Sequence, residues 1–300
     1  MLETGVVAVG IDGSRASLGA ARWAALDAQR RGSTLRLVHA VDAPLVGGYP
    51  EPSLLAPQVT DEMRGRAARL LESTADQLAI AHPGLRIETV QQDGRPAEVL
   101  LDQSRRTIAT VVGPDGIGRL SGVFLGSVPA RLAAHGQGCV VIARPDPAAT
   151  VGSESGVVVV GVDGSPEARA AIGFAYEEAA LRGATLLAIH TWNDKPLNHA
   201  LGDYPLDINA AGIDQAEHLL LETELAGWEQ KYPEVPVRMR ILRGRPAPNL
   251  LRYASNAGNQ PTGLIVVGSR GRGGFTGLLL GSTSQAVATH ATCSVAVVHP

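Results

Sequence analysis

Val6-Val7-Ala8-Val9-Gly10-Ile11-Asp12-Gly13-Ser14 returns half a chain later as Val157-Val158-Val159-Val160-Gly161-Val162-Asp163-Gly164-Ser165. Each opens with a short β-branched run in which apolar and polar residues do not alternate, the pattern of a strand buried on both faces of a parallel sheet. Each then turns at Asp-Gly-Ser into a helical pattern, Ala16 to Arg31 or Pro166 to Arg182. Ser14 or Ser165 supplies an N-cap, and Gly32 or Gly183 closes the helix.

Three further blocks repeat in the same order. Arg31-Gly32-Ser33-Thr34-Leu35 through His39 recurs as Arg182-Gly183-Ala184-Thr185-Leu186 through His190, and Gly94-Arg95-Pro96-Ala97 as Gly244-Arg245-Pro246-Ala247. Val111 to Pro145 aligns with Val266 to Pro300. Four blocks in one order mean a duplicated domain. The small, polar stretch Pro145 to Gly156 has the composition of a linker and divides the chain into domains at 1–147 and 155–300.

Within the first copy the pattern predicts strands at Thr34–Val41, Leu85–Gln91, Ile108–Gly113 and Cys139–Ala143. Helices are expected at about Thr60–Ala81, from Pro96 and from Ser127. Strands alternating with helices give a doubly wound parallel sheet with its ligand crevice at the carboxyl ends of the strands. The residues after Gly10 and after Gly113 both emerge at that edge.

The 300 residues suffice for two such domains. A net charge of -3 with interspersed signs provides no field for nucleic acid or anionic membrane. Cys139 and Cys293 make no ligand spacing and read as buried, reduced and structural. The residues after Met1 show no targeting pattern, and no segment reaches membrane-spanning length, so the expected location is the cytoplasm.

The chemistry concentrates in Gly268-Ser269-Arg270-Gly271-Arg272-Gly273-Gly274-Phe275-Thr276-Gly277-Leu278-Leu279-Leu280-Gly281-Ser282. Glycines without Cβ let backbone N–H groups turn toward an anion, and the following helix N-terminus adds its partial positive charge. Arg270 and Arg272 either neutralise phosphates or are solvated loop charges. Gly113-Pro114-Asp115-Gly116 through Gly126-Ser127 repeats the loop with fewer cations. Asp12 and Asp163 either cap the following helix or serve a ligand, by binding ribose hydroxyls or holding a hydrated Mg²⁺. His39, His190, His135 and His290 read as structural, since no nucleophile or metal partner lies near them in sequence.

With Gly113-x-x-Gly116, nine residues, Gly126-Ser127, its counterpart Gly268-x-x-Gly271, nine residues, Gly281-Ser282, and Asp12 and Asp163 ending the first strands, the whole chain resembles the universal stress protein family in its tandem, mycobacterial form. The resemblance implies two Rossmann-like domains of the adenine nucleotide alpha hydrolase type. Each has a five-stranded parallel sheet of order 3-2-1-4-5 with helices on both faces. It also implies ATP, with Mg²⁺, as the ligand and a regulatory role in stress response or growth control. The implied nucleotide-binding residues in the first copy are Gly10, Asp12, Ser14, Val41, Gly113, Gly116, Gly118, Arg119, Gly126, Ser127 and Val128. In the second they are Gly161, Asp163, Ser165, Trp192, Gly268, Arg270, Gly271, Arg272, Gly273, Gly274, Gly281, Ser282 and Thr283, with Val41 and Trp192 beside the adenine. The apolar final strands would be sheet edges needing cover, and the resemblance implies that they pair between modules, giving intrachain packing about a pseudo-twofold axis; a homodimer and a regulatory protein partner are implied as well.

The competing readings are a slow ATPase or nucleotidyl-transfer enzyme of the same fold group, and a flavin-binding domain. The sequence has no GxxxxGK[ST], HxGH or SGGxD motif, so no catalytic residue is assigned. In the first loop Pro114-Asp115 stands for Ser269-Arg270 and Ile117 for Arg272, which predicts weaker ATP binding at the first site than at the second.

Overall fold

The computed structural model describes residues 5–42, 56–116, 125–144, 156–192, 210–255, 261–272 and 279–300. The chain forms two compact units, Met1–Pro145 and Asp146–Pro300. The expected linker lies outside the described residues up to Gly156.

In the first unit the order is β1 (Val6–Gly10), α1 (Arg15–Arg31), β2 (Thr34–Val41), α2 (Ala56–Ala81), β3 (Ile87–Asp93), α3 (Pro96–Ser104), β4 (Ala109–Val112), α4 (Ser127–His135) and β5 (Cys139–Ile142). The second repeats it as β6 (Val157–Val162), α5 (Pro166–Arg182), β7 (Leu186–Trp192), α6 (Ala210–Lys231), β8 (Val237–Arg243), α7 (Pro246–Ser255), β9 (Thr262–Gly268), α8 (Ser282–His290) and β10 (Ser294–Val298). The first unit's strands run β3-β2-β1-β4-β5 and the second's β8-β7-β6-β9-β10, every pairing within a unit being parallel.

The unbroken β-branched runs form the middle of each sheet, where Val7, Val9, Val111, Val158 and Val160 are fully buried. Burying such a side chain stabilises by about 1.5–3 kcal/mol. Helix α1 meets the sheet through Ala20, Ala21, Ala24, Ala25 and Ala28, small residues that allow close approach. Its cap is as read from sequence. Ser14 Oγ accepts the Ser17 N–H at 3.1 Å, and Gly32 takes the left-handed φ of 61°. In α5 Ser165 Oγ accepts the Ala168 N–H at 3.1 Å, and Gly183 has φ 59°.

The largest shifts from the expected bounds are at α2 and β3. Helix α2 begins at Ala56, and β3 begins at Ile87 because Leu85 is held in a turn by its N–H to His82 O at 3.2 Å. The second unit also carries an aromatic stack without a counterpart among the described residues of the first. Tyr176 lies 6.2 Å from Trp228 and 6.0 Å from Tyr232, centroid to centroid. A Cβ at Gly173 would come within 2.6 Å of the Trp228 ring, so this helix position must be glycine for the indole to lie there.

Candidate functional site

At the carboxyl end of β1, the chain continues through Ile11, whose N–H reaches Val38 O at 2.8 Å, to Asp12. Gly13 then adopts a φ of 85°, a conformation that favours glycine, and the chain enters α1. Asp12 Oδ1 accepts the Ser14 N–H at 2.9 Å, and Asp163 Oδ1 accepts the Ser165 N–H at 2.9 Å. One carboxylate oxygen therefore builds the turn in each unit.

The other oxygen faces the glycine loop. Asp163 Oδ2 accepts the Arg272 N–H at 2.9 Å. A Cβ on Gly116 would stand 2.7 Å from Asp12 Oδ2, and one on Gly271 would likewise meet Asp163 Oδ2. The second glycine of each pair is thus where the loop backbone passes over the aspartate. The first glycine serves packing, since a Cβ at Gly113 would lie 2.8 Å from the Ala16 carbonyl carbon and one at Gly268 2.7 Å from that of Glu167. Each loop is closed at its base: the Gly126 N–H donates to Pro114 O and the Gly281 N–H to Ser269 O, both at 2.8 Å. That closure delivers Ser127 and Ser282 to the first turn of α4 and α8, beside the orphan N–H groups of the helix start.

Each unit has a cleft at this edge, of about 360 Å³ in the first and about 470 Å³ in the second, within the range of small-molecule sites. Gly10, Asp12, Gly113, Gly116, Gly126, Ser127 and Val128 line the first. Gly161, Asp163, Gly268, Arg270, Gly271, Gly281, Ser282 and Thr283 line the second. Ser14 and Ser165 are helix caps outside the lining. Gly118, Arg119, Gly273 and Gly274 lie outside the described residues.

Val41 and Trp192 do not face the clefts. Val41 is buried, and the Trp192 ring lies under the Arg243 guanidinium, 5.7 Å from centroid to Cζ. The preceding residues line the clefts instead, Val38, His39 and Ala40 in the first and Ile189 and Thr191 in the second. Pro96, Leu100, Pro246 and Leu250 form an apolar wall that the functional reading of the sequence missed. The repeated Gly-Arg-Pro-Ala blocks were its signal, and Gly10 was its counterpart, since a Cβ there would lie 2.8 Å from Leu100 Cδ1.

The cations divide. Arg270 lines the second cleft, and its Nε contacts Glu167 Oε1 at 3.1 Å on the first turn of α5. Arg272 is not in the lining. Its guanidinium lies over Gly164, where a Cβ would collide with it, and its charge acts on Glu224 of α6. Glu224 accepts from Arg169 Nε at 2.8 Å and Nη2 at 2.9 Å. Those hydrogen bonds hold its carboxyl below the usual carboxylate range, with Arg272 pulling the same way and burial and Asp163 opposing.

His39 and His190 are each held by a backbone carbonyl, and His39 also lines the first cleft. His39 Nδ1 meets Ile11 O and His190 Nδ1 meets Val162 O, each at 2.7 Å, tying β2 to the end of β1 and β7 to the end of β6. Since a carbonyl only accepts, Nδ1 is the donor in both. His190 Nε2 additionally contacts Glu217 Oε2 at 2.8 Å. Among the described residues, no three His, Cys, Asp or Glu side chains gather as a metal site, and no helix is long and apolar enough to cross a membrane.

Comparison with known proteins agrees with this architecture. The family model described as "Universal stress protein family" matches residues 4–144 and again 155–299. A universal stress protein of Mycolicibacterium smegmatis is 38% identical, over 99% of this chain and 98% of its own. One from Mycobacterium tuberculosis H37Rv is 36% identical, over 94% of this chain and 92% of its own. Among solved structures, a universal stress protein from Archaeoglobus fulgidus superposes with a TM-score of 0.71 at 21% identity, covering 99% of both chains, a likeness of fold.

Proposed function

Because the chain belongs to the universal stress protein family, with two tandem copies of its domain, we propose that each unit binds an adenine nucleotide, with ATP and its Mg²⁺ the preferred ligand of the second. Nucleotide occupancy would regulate which partners the protein contacts in stress response or growth control. One observation carries the reading. In both units an aspartate at the end of the first strand faces a glycine loop whose closed base presents a serine at a helix start. That arrangement offers a carboxylate for ribose hydroxyls or hydrated Mg²⁺ beside backbone N–H groups for phosphate. The walls of Leu100 and Leu250 suit the face of a purine.

Regulation rather than turnover is favoured because no described cleft residue is set up as nucleophile or general base. The aspartates are engaged with backbone N–H groups, and His39, which lines the first cleft, is anchored through Nδ1 to Ile11 O and has no hydroxyl or thiol bonded to it among the described residues. Denaturing the purified protein and chromatographing the released small molecules tests the proposal. ATP or ADP in the extract supports it, and a chain that neither releases nor takes up adenine nucleotide in calorimetry overturns it. Production of ADP from added ATP would move the reading to a slow ATPase. A homodimer belongs to the same proposal, and sedimentation at micromolar concentration tests it.

A further inference from the structure

The two units differ in charge around otherwise matching clefts. Beside the second stand Asp163, Glu167, Arg169, Glu224, Arg270 and Arg272, three acids and three bases. The six positions the repeat places opposite them are Asp12, Ala16, Leu18, Thr74, Asp115 and Ile117, two acids and no base. The replacements are concerted. Where Arg270 becomes Asp115, its partner Glu167 becomes Ala16; where Arg272 becomes Ile117, Glu224 and Arg169 become Thr74 and Leu18. Among the described residues of the first unit, Arg15 is exposed on the first turn of α1 and is not in the cleft lining, and Arg119 of the loop lies outside the described residues.

Position 115/270 is the one that faces ligand. Asp115 and Arg270 each line their cleft, one residue before the loop crosses the aspartate. Arg270 is fixed at its backbone, because Ser269 is held on one side by its N–H to Val298 O at 2.8 Å and on the other by Gly281. Glu167, 13% exposed, engages Nε, one of the five N–H donors of the guanidinium. Glu167 therefore aims Arg270 without using up its donors. In the first cleft a carboxylate stands at the same place and repels a phosphate chain.

We infer that the tandem clefts are specialised by phosphate charge. The second takes nucleoside polyphosphates, and the first takes adenine nucleotides of low charge such as a monophosphate, with residue 115/270 as the determinant. The inference rests on the nucleotide-binding reading above. A unit charge reversal at cleft distance is worth roughly tenfold in affinity at intermediate dielectric.

The test uses the full chain with one cleft filled by Ala40→Trp or Thr191→Trp. Calorimetry with ATP and AMP is run in EDTA, so that the triphosphate keeps its full charge, at about 0.15 M salt. The preference for ATP over AMP should be at least about tenfold greater with the first cleft filled than with the second filled. Arg270→Asp should cut the preference of the second cleft about tenfold, and Asp115→Arg should raise that of the first by a similar factor. The same two reversals in the otherwise unaltered chain give a second measurement that does not depend on the tryptophans. Equal preferences, or preferences unmoved by both reversals, overturn the inference and leave nucleotide binding standing. No binding of either nucleotide, in EDTA and again with added Mg²⁺, overturns both.

Discussion

Asp163 Oδ2 accepts the backbone N–H of Arg272 at 2.9 Å, while Oδ1 of the same carboxylate accepts that of Ser165. One side chain thus ties the entrance of α5 to the glycine loop. Charge-assisted bonds of this kind contribute about 1.5–3 kcal/mol each. Asp163→Ala should lower the stability of the second unit by about 2 kcal/mol. It should also accelerate amide exchange at Ser165 and Arg272 and weaken ATP binding at that cleft. Unchanged exchange at Arg272 would show that the contact does not hold the loop.

Gly113 and Gly268 are fixed by helix packing. Their φ values are not left-handed, yet a single added methyl would meet the α1 or α5 backbone at 2.8 or 2.7 Å. Gly268→Ala should therefore destabilise the second unit by about 1–3 kcal/mol, the usual cost of overpacking. Urea unfolding followed by Trp228 fluorescence would measure this, and a neutral substitution would show that α5 shifts freely.

Glu224 gives the second unit an acid-sensitive contact. Its carboxyl holds a proton less tightly in the folded chain, chiefly through the Arg169 hydrogen bonds, than in the unfolded chain. The stabilisation is complete above the unfolded value of about 4.3 and disappears as pH falls through the lower folded value. Wild type should exceed Glu224→Gln in stability by a constant margin from pH 5 to 8, the margin shrinking below about pH 4.5. A margin that grows on acidification would contradict the assignment.

Tyr176 presents the opposite case. Its ring is fully buried in the aromatic stack, and its hydroxyl has no hydrogen-bond partner among the described residues. Burial accordingly pushes the phenol pKa upward, with the charge of Glu229 adding to it. Tyr176→Phe removes an unsatisfied hydroxyl and keeps the ring, so stability should stay level or rise by up to about 1 kcal/mol. A loss of more than that in thermal unfolding would reveal a partner for the hydroxyl.

The repeat made much of this legible before any coordinates. β2 falls at Thr34–Val41 and α5 at Pro166–Arg182, where β-branched density and the Ser and Gly caps placed them. The strand–loop–helix order of the glycine segments was readable for the same reason, since local residues set it. What local pattern could not supply was side-chain direction. Arg270 and Arg272 look equivalent in sequence, but one lines the cleft beside Glu167 and the other lies over Gly164 near Glu224. Those neighbours are distant in the chain and are brought there by the sheet. Gly113 looked like a phosphate glycine because nothing in its own segment reveals that Ala16 packs against it. Val41 and Trp192 stand one residue beyond the strand positions that line the clefts.

The Gly126-to-Pro114 and Gly281-to-Ser269 bonds close the base of each loop independently of what lies between. Each loop is in effect a cassette seated in a socket. The two cassettes have diverged together with their sockets, Arg270 facing Glu167 in one copy where Asp115 and Ala16 stand in the other.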